Sequence, residues 1–172
     1  MTPADMLERV RYLHEHCQHD VIAEEYIEGI ELYVSLLGNE RLEVLPLRQC
    51  SFPTGEGAPQ FATFKVKWDQ DYRNKWGIKY GFADLGDKQL EKRVREIAKR
   101  VYRVLRLQGY GRLDVRLAKD GNVFVIEANP NPYLARDEDF AISAEKAGYP
   151  FEELIARIVK FAEDAHPRSV LR

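Results

Sequence analysis

The sequence predicts an α+β fold: an antiparallel β-sheet of about five to six strands with helices packed against it. Three observations carry that prediction. Short segments of alternating polarity follow one another across turns too short to hold a crossover helix. One long segment, residues 87–108, has an apolar stripe at helical spacing. An Asp-Gly pair joins two alternating segments near the C-terminal end, and two further helical segments follow.

Taken in order, Thr2-Pro3-Ala4-Asp5 reads as a helix start. Thr2 can cap, Pro3 suits the first helical position, and Asp5 stands where a capping box needs its acid. Met6, Leu7, Val10, Leu13 and Cys17 follow at helical spacing. Residues 21–26 are a short strand candidate, and Glu28-Gly29 a turn. Residues 31–37 alternate as a strand, Gly38-Asn39 turns, and residues 42–48 return as another. Residues 51–61, with two Gly and two Pro, read as a loop. Residues 61–68 alternate like an edge strand, and residues 69–86, polar and aromatic without a clear period, read as irregular. In the 87–108 helix the expected stripe is Leu90, Val94, Ile97, Val101, Val104 and Leu105, with Asp87 capping and Gly109 ending it. Residues 113–117 and 123–129 are strands, the second stopped by Asn129-Pro130-Asn131-Pro132. Residues 139–147 and 151–165 read as closing helices. Neither an internal repeat nor a low-complexity segment is visible.

The 172 residues suffice for one domain with a proper core, and a single domain over residues 1–172 is the expected organisation. Composition is that of a globular protein, 45% hydrophobic and 31% charged. A net charge of −2 lacks the basic excess that a nucleic-acid partner selects for, so none is expected. The longest apolar runs, such as Val123-Phe124-Val125-Ile126, are far too short for a bilayer, and no membrane partner is expected. The chain opens without a basic-then-apolar leader. Cys17 and Cys50 stand apart, without metal-ligand spacing, as reduced cysteines of a cytoplasmic protein would.

The chemistry concentrates in the Asp120-Gly121 hairpin. Asp-Gly is the preferred pair for a two-residue turn, which would pair Lys119 with Asn122. In that register Asp114 faces Glu127 and Arg112 faces Asn129. Side chains so opposed have Cβ atoms about 4.5–5.5 Å apart. Two carboxylates at that separation repel unless a cation joins them. Hard oxygen donors suit Mg²⁺ or Mn²⁺ rather than zinc, and Mg²⁺ completes its shell with phosphate oxygens and water. Arg112 then stands where charge gathers on a transferring phosphoryl group. The same pattern also fits a surface hairpin in which Arg112 and Arg116 neutralise Asp114 and Glu127. The Asn-Pro-Asn-Pro stop favours a site, because it fixes the backbone just past Glu127.

Gly111-Arg112-Leu113-Asp114-Val115, Asp120-Gly121 and Val125-Ile126-Glu127-Ala128-Asn129-Pro130-Asn131-Pro132 together resemble the signature of D-alanine–D-alanine ligases and their ATP-grasp relatives. The resemblance implies the C-terminal lobe of the ATP-grasp fold, with ATP and two Mg²⁺ (or Mn²⁺) ions as cofactors. It assigns Asp114, Glu127 and Asn129 to the metals, and Arg112 to phosphate and the developing acyl phosphate. Glu24-Glu25-Tyr26-Ile27-Glu28-Gly29-Ile30-Glu31 is similar to the family's adenine strand. That places Glu24 at the adenine amino group, the backbone of Glu25, Tyr26 and Ile27 at the adenine edge, and Glu31 on the ribose hydroxyls. Ionised carboxylates are acceptors only, which suits both roles. Ile126 falls among the nucleotide-binding positions too. Phe64-Lys65-Val66-Lys67-Trp68 is a weaker match, with Lys67 the better candidate to reach the terminal phosphate and Lys65 the second. Lysines guarding an edge strand would look the same.

The resemblance covers residues 18–165, and implies an N-terminal domain and a small ATP-clamping lobe for which no Gly-rich phosphate loop is seen before residue 20. The implied activity is that of an ATP-dependent ligase joining a small-molecule carboxylate to an amine (or thiol) through an acyl phosphate. The alternatives are an ATP-grasp kinase, or a nucleotide-binding module without catalysis. The sequence departs from D-alanine–D-alanine ligases at Tyr133, where they carry Gly, and at Glu138, where they carry Ser. That departure implies an amine that is cationic or lacks a free carboxylate.

Overall fold

A computed structural model describes residues 2–53 and 61–165. Among these residues the chain forms one antiparallel six-stranded sheet and six helices. In chain order the elements are α1 (Pro3–Cys17), β1 (Gly29–Leu37), β2 (Glu43–Val44), β3 (Arg48–Ser51), α2 (Phe64–Trp68), α3 (Gln70–Trp76), β4 (Lys79–Phe82), α4 (Lys88–Val104), β5 (Tyr110–Ala118), β6 (Val123–Asn129), α5 (Asp139–Lys146) and α6 (Phe151–Ala165). The strands run β4-β3-β1-β5-β6, with β2 paired to β1. The predicted α+β class is the one observed.

The two faces of β1 and β5 divide the labour. Leu32, Val34 and Leu36 of β1 and Leu113, Val115 and Leu117 of β5 bury one face against Val94, Ala98 and Tyr102 of α4. Glu31, Tyr33 and Ser35 of β1 lie on the other face, opposite Arg116, Asp114 and Arg112 of β5. That second face becomes apolar at one end, where Leu37 packs with Phe140, Ala141, Ala144 and Leu154 of α5 and α6. Beside the polar groups, Tyr33, Cys50, Val66 and Ile78 form a small cluster under α2 and α3. The middle of the face is left for side chains with charge. Gly29 opens β1 where a Cβ would stand 2.1 Å from the Leu117 carbonyl oxygen, so only glycine permits that strand pairing.

Several predicted elements change. Residues 21–26 form no strand. The strand expected over 42–48 is broken into β2 and β3, because Pro46 cannot donate to a ladder. Residues 61–68 hold not an edge strand but α2, capped by Thr63, whose hydroxyl accepts from the Val66 amide at 3.3 Å. Residues 69–86, read as irregular, hold α3 and β4: Asp69 caps α3 and Gly77 ends it at φ 64°. Helix α4 stops at Val104, four residues short of the predicted end, and Val104 and Leu105 are exposed. Its buried line is Val94, Ala98 and Tyr102. Within the loop read over 51–61, residues 54–60 lie outside the described residues.

Other expectations match closely. Thr2 and Asp5 form the capping box of α1, although no residue of that helix is buried. Asp87 caps α4 through the amides of Gln89 and Leu90. Cys17 is exposed and Cys50 buried, with both thiols free; burial pushes the Cys50 thiol up to about 12. No helix among the described residues is long and apolar enough to cross a membrane.

Candidate functional site

The β5–β6 hairpin does not turn as the Asp-Gly pair predicts. The Ala118 amide donates to the Asn122 carbonyl at 2.9 Å, leaving Lys119-Asp120-Gly121 as a three-residue loop. Gly121 takes the left-handed position at φ 80°, as such loops require. From the tip, Leu117 pairs with Val123, Arg116 with Phe124 and Val115 with Val125. The register then shifts at a bulge between Asp114 and Val115, where Ile126 is the extra residue. Beyond the bulge, Asp114 faces Glu127 and Arg112 faces Asn129, the predicted pairs.

Asp114 is 4% exposed, whereas Glu127 lies open on the edge strand. Burial raises the Asp114 carboxyl above its ordinary range and the Glu127 charge adds to this, against the hydrogen bonds and charge of Arg112 and the charge of Lys67. Arg112 grips Asp114 with two donors, Nε to Oδ1 at 2.7 Å and Nη2 to Oδ2 at 3.1 Å. Its guanidinium also lies 5.3 Å from the Tyr33 ring centroid. Asn129 Oδ1 accepts from the Asn131 amide at 2.9 Å, which fixes the side chain at the strand end. The donor set is thus two carboxylates and an amide on one sheet face, with a cation already beside the buried carboxylate. Hard oxygen donors with room for phosphate and water fit Mg²⁺ or Mn²⁺.

The neutralising-arginine reading is half met. Arg112 pairs with Asp114, but Arg116 turns away from Glu127 to Glu31, at 3.3 Å. Glu31 is 5% exposed and also accepts from the Tyr33 hydroxyl at 2.9 Å and the Ala62 amide at 3.2 Å. Lys67, on α2 rather than an edge strand, acts electrostatically on Asp114; Lys65 lies 5.9 Å from the Tyr72 ring centroid. Of the two lysines, Lys67 is the one whose charge acts on Asp114. Ile126 is half exposed on the bulge.

Glu24, Glu25 and Tyr26 lie on an exposed segment without regular structure, and Ile27 is partly buried there. Glu24 borders a groove of about 420 Å³ between α1 and residues 21–24, whose lining includes neither Asp114 nor Glu127. Ile27 is tied to the site by its carbonyl, which accepts from Arg116 Nε at 3.0 Å.

Sequence reasoning missed Tyr33, which pairs with Asp114, and Arg48, and it named Arg116 without its Glu31 partner. Arg48 Nε reaches Asp139 Oδ1 at 2.9 Å and so ties the start of α5 to the sheet. The alternation of β5 puts residues 112, 114 and 116 on one face, which is the signal that made Arg116 visible in the sequence. The partners from β1 could not be read, since the register between distant strands has no local signal.

Comparison with known proteins identifies the family and the fold. A family model described as D-ala D-ala ligase C-terminus matches residues 4–160. An uncharacterized protein of Sinorhizobium fredii, y4sG, is 31% identical over 160 residues, covering 93% of this chain and 46% of that protein. A D-alanine–D-alanine ligase of Cupriavidus pinatubonensis is 30% identical over 153 residues, covering 87% of this chain and 43% of the relative. A Bacillus anthracis D-alanine–D-alanine ligase complexed with ATP has the same fold, with a TM-score of 0.74 at 21% identity over 95% of this chain and 48% of its own. The chain thus spans less than half the length of these relatives. With matching that runs through α1, the β5–β6 hairpin and α6, this chain belongs to the D-alanine–D-alanine ligase C-terminal family.

Proposed function

We propose that this chain forms the Mg-ATP-holding part of an ATP-dependent ligase that activates a small-molecule carboxylate as an acyl phosphate and joins it to an amine or thiol. The observation that carries the reading is the single face on which Arg112, Asp114, Glu127 and Asn129 converge. Asp114, Glu127 and Asn129 would hold Mg²⁺, and the metal would supply charge neutralisation at the transferring phosphoryl group. Arg112 and Lys67 add positive charge on the same side. Glu31 offers a carboxylate to the ribose, while Glu24, the backbone of residues 25–27 and Ile126 border the base. The relatives' printed activity, D-alanine–D-alanine ligation, supports the reaction class.

The site is open: Glu24, Glu25, Tyr26, Ile126 and Glu127 are all exposed. The 172-residue chain is therefore expected to bind Mg-ATP weakly, with a dissociation constant on the order of 1 mM. Binding should vanish when Mg²⁺ is chelated, as followed by NMR titration. Unchanged binding in chelator would remove the metal from the reading, and no binding at all would remove the nucleotide.

Glu138 bears on the amine. It stands at the N-cap of α5 yet makes no capping hydrogen bond. Burial raises its carboxyl, Asp139 and Asp137 add to this, and the charges of Arg112 and Arg73 oppose it. Asp139 is committed to Arg48, while Glu138 makes no ion pair among the described residues and feels the charge of Arg112. Such a carboxylate repels a second one and attracts a cation. Among amines screened by phosphate release on the protein at its natural length, a diamine or amino-acid amide is expected to outperform D-alanine. Glu138→Ser should shrink that preference; D-alanine as best substrate would refute it.

A further inference from the structure

We infer that Arg116, which matches no position of the family signature quoted above, is the positioning residue of the adenosine half of the site. The inference rests on the nucleotide-binding reading. Arg116 is 3% exposed, and among the described residues its guanidinium donates to three groups. Nε donates to the Ile27 carbonyl at 3.0 Å, Nη1 to Glu31 Oε2 at 3.3 Å, and Nη2 to the Tyr26 hydroxyl at 2.9 Å. The guanidinium carbon also stands 5.3 Å from the Tyr26 ring centroid.

Each of these partners borders the proposed nucleotide site. Tyr26 and Ile27 belong to the segment set at the base edge, and Glu31 to the ribose. That segment has no regular structure of its own, and its backbone is anchored here through Ile27. Arg116 is the donor that links it to β5. It sits two residues beyond Asp114 on the same face of the same strand, a rise of roughly 6–7 Å. One strand thus sets the metal end and the adenosine end at a fixed separation. Glu31 is held on its other side by Tyr33 and the Ala62 amide, so its direction depends on all three donors. A planar fork with five fixed donors can serve three acceptors at once; an ammonium on a flexible stem cannot.

Arg116→Lys keeps a positive charge beside buried Glu31 and removes the fork. Parent and variant are titrated, in Mg²⁺, with ATP, 2′-deoxy-ATP and inorganic tripolyphosphate. The parent should prefer ATP to 2′-deoxy-ATP. In the variant, ATP affinity should fall at least about tenfold and the ATP preference should approach one. Tripolyphosphate affinity should not change, because the metal pair is untouched. A second variant, Arg116→Met with Glu31→Gln, removes both charges together and should show the same loss of ribose discrimination. A variant that keeps the parent's ATP preference overturns the inference. So does one that loses tripolyphosphate binding in equal measure, which would make Arg116 a general structural support. If the parent binds tripolyphosphate as well as ATP, the nucleotide reading itself fails and the inference with it.

Discussion

Arg112→Ala is expected to destabilise the metal-free chain and, at the same time, to strengthen its binding of divalent cations. Arg112 donates twice to Asp114, and the two side chains are 17% and 5% exposed. Removing one partner of so buried a pair leaves an uncompensated carboxylate, at a cost of about 3–5 kcal/mol. Glu127 faces that carboxylate and repels it further. For a chain of this size each kcal/mol lowers the melting temperature by about 2–4 °C, so the loss is readily seen by calorimetry. In the parent, a metal ion must compete with the guanidinium for Asp114; in the variant it need not. Millimolar Mg²⁺ should therefore restore more of the variant's melting temperature than it adds to the parent's. Mn²⁺ without nucleotide should bind the variant more tightly. ATP should bind it less tightly, since the positive charge proposed to meet its phosphates is gone. An ordinary structural arginine predicts the first loss but neither the metal rescue nor the opposite signs. Weaker Mn²⁺ binding by Arg112→Ala would show that Arg112 does not occupy the cation's place.

The residues differ in how far their sequence surroundings announced this arrangement. The pairing of Asp114 with Glu127 was legible for a reason that was only partly right. A two-residue turn at Asp120-Gly121 gives that pairing, but the hairpin spends three residues on its loop. The bulge at Ile126 shifts the register back. Two local departures cancel at the site and nowhere else, so Val115 and Arg116 face partners one residue away from those expected. Phe64 to Trp68 shows the limit of periodicity. Five residues alternating apolar and basic satisfy a strand, but Thr63 and Asp69 cap consecutive helices, and local capping decides. Glu31 could be placed on the ribose by resemblance alone. Its three donors come from Tyr33, Ala62 and Arg116, at separations of 2, 31 and 85 residues, and only the first is local. What short-range hydrogen bonds determine was readable; what the β1–β5 register determines was not.

Glu127→Gln keeps the shape of the side chain and removes its charge, and the expected result has two parts of opposite sign. Without metal, the variant should be as stable as the parent or more so. Like charges directly opposed across an antiparallel pair destabilise by roughly 0.2–1 kcal/mol, and Glu127 lies exposed where solvent screens it, which favours the lower end of that range. The gain depends on pH. The Asp114 carboxyl is raised in the folded chain, by burial first and by Glu127 among the lesser causes. A carboxyl so raised makes its largest contribution to stability in acid, below its ordinary value, and loses it as pH climbs through the folded value. With position 127 neutral, that loss is smaller. The two proteins should be equally stable in acid, where the Asp114 carboxyl is protonated, and the variant should pull ahead toward neutral pH in urea denaturation. With metal, the order reverses. The substituted amide offers a neutral oxygen in place of a charged one, so Mg²⁺ loses half the carboxylate charge that holds it. Mg-dependent ATP binding should fall by at least about tenfold, or 1.4 kcal/mol, and Mg²⁺ should no longer raise the melting temperature. A variant that binds Mg-ATP as the parent does would take Glu127 out of the metal site. One that is destabilised in the absence of metal would make the Asp114–Glu127 face a structural feature of the sheet edge.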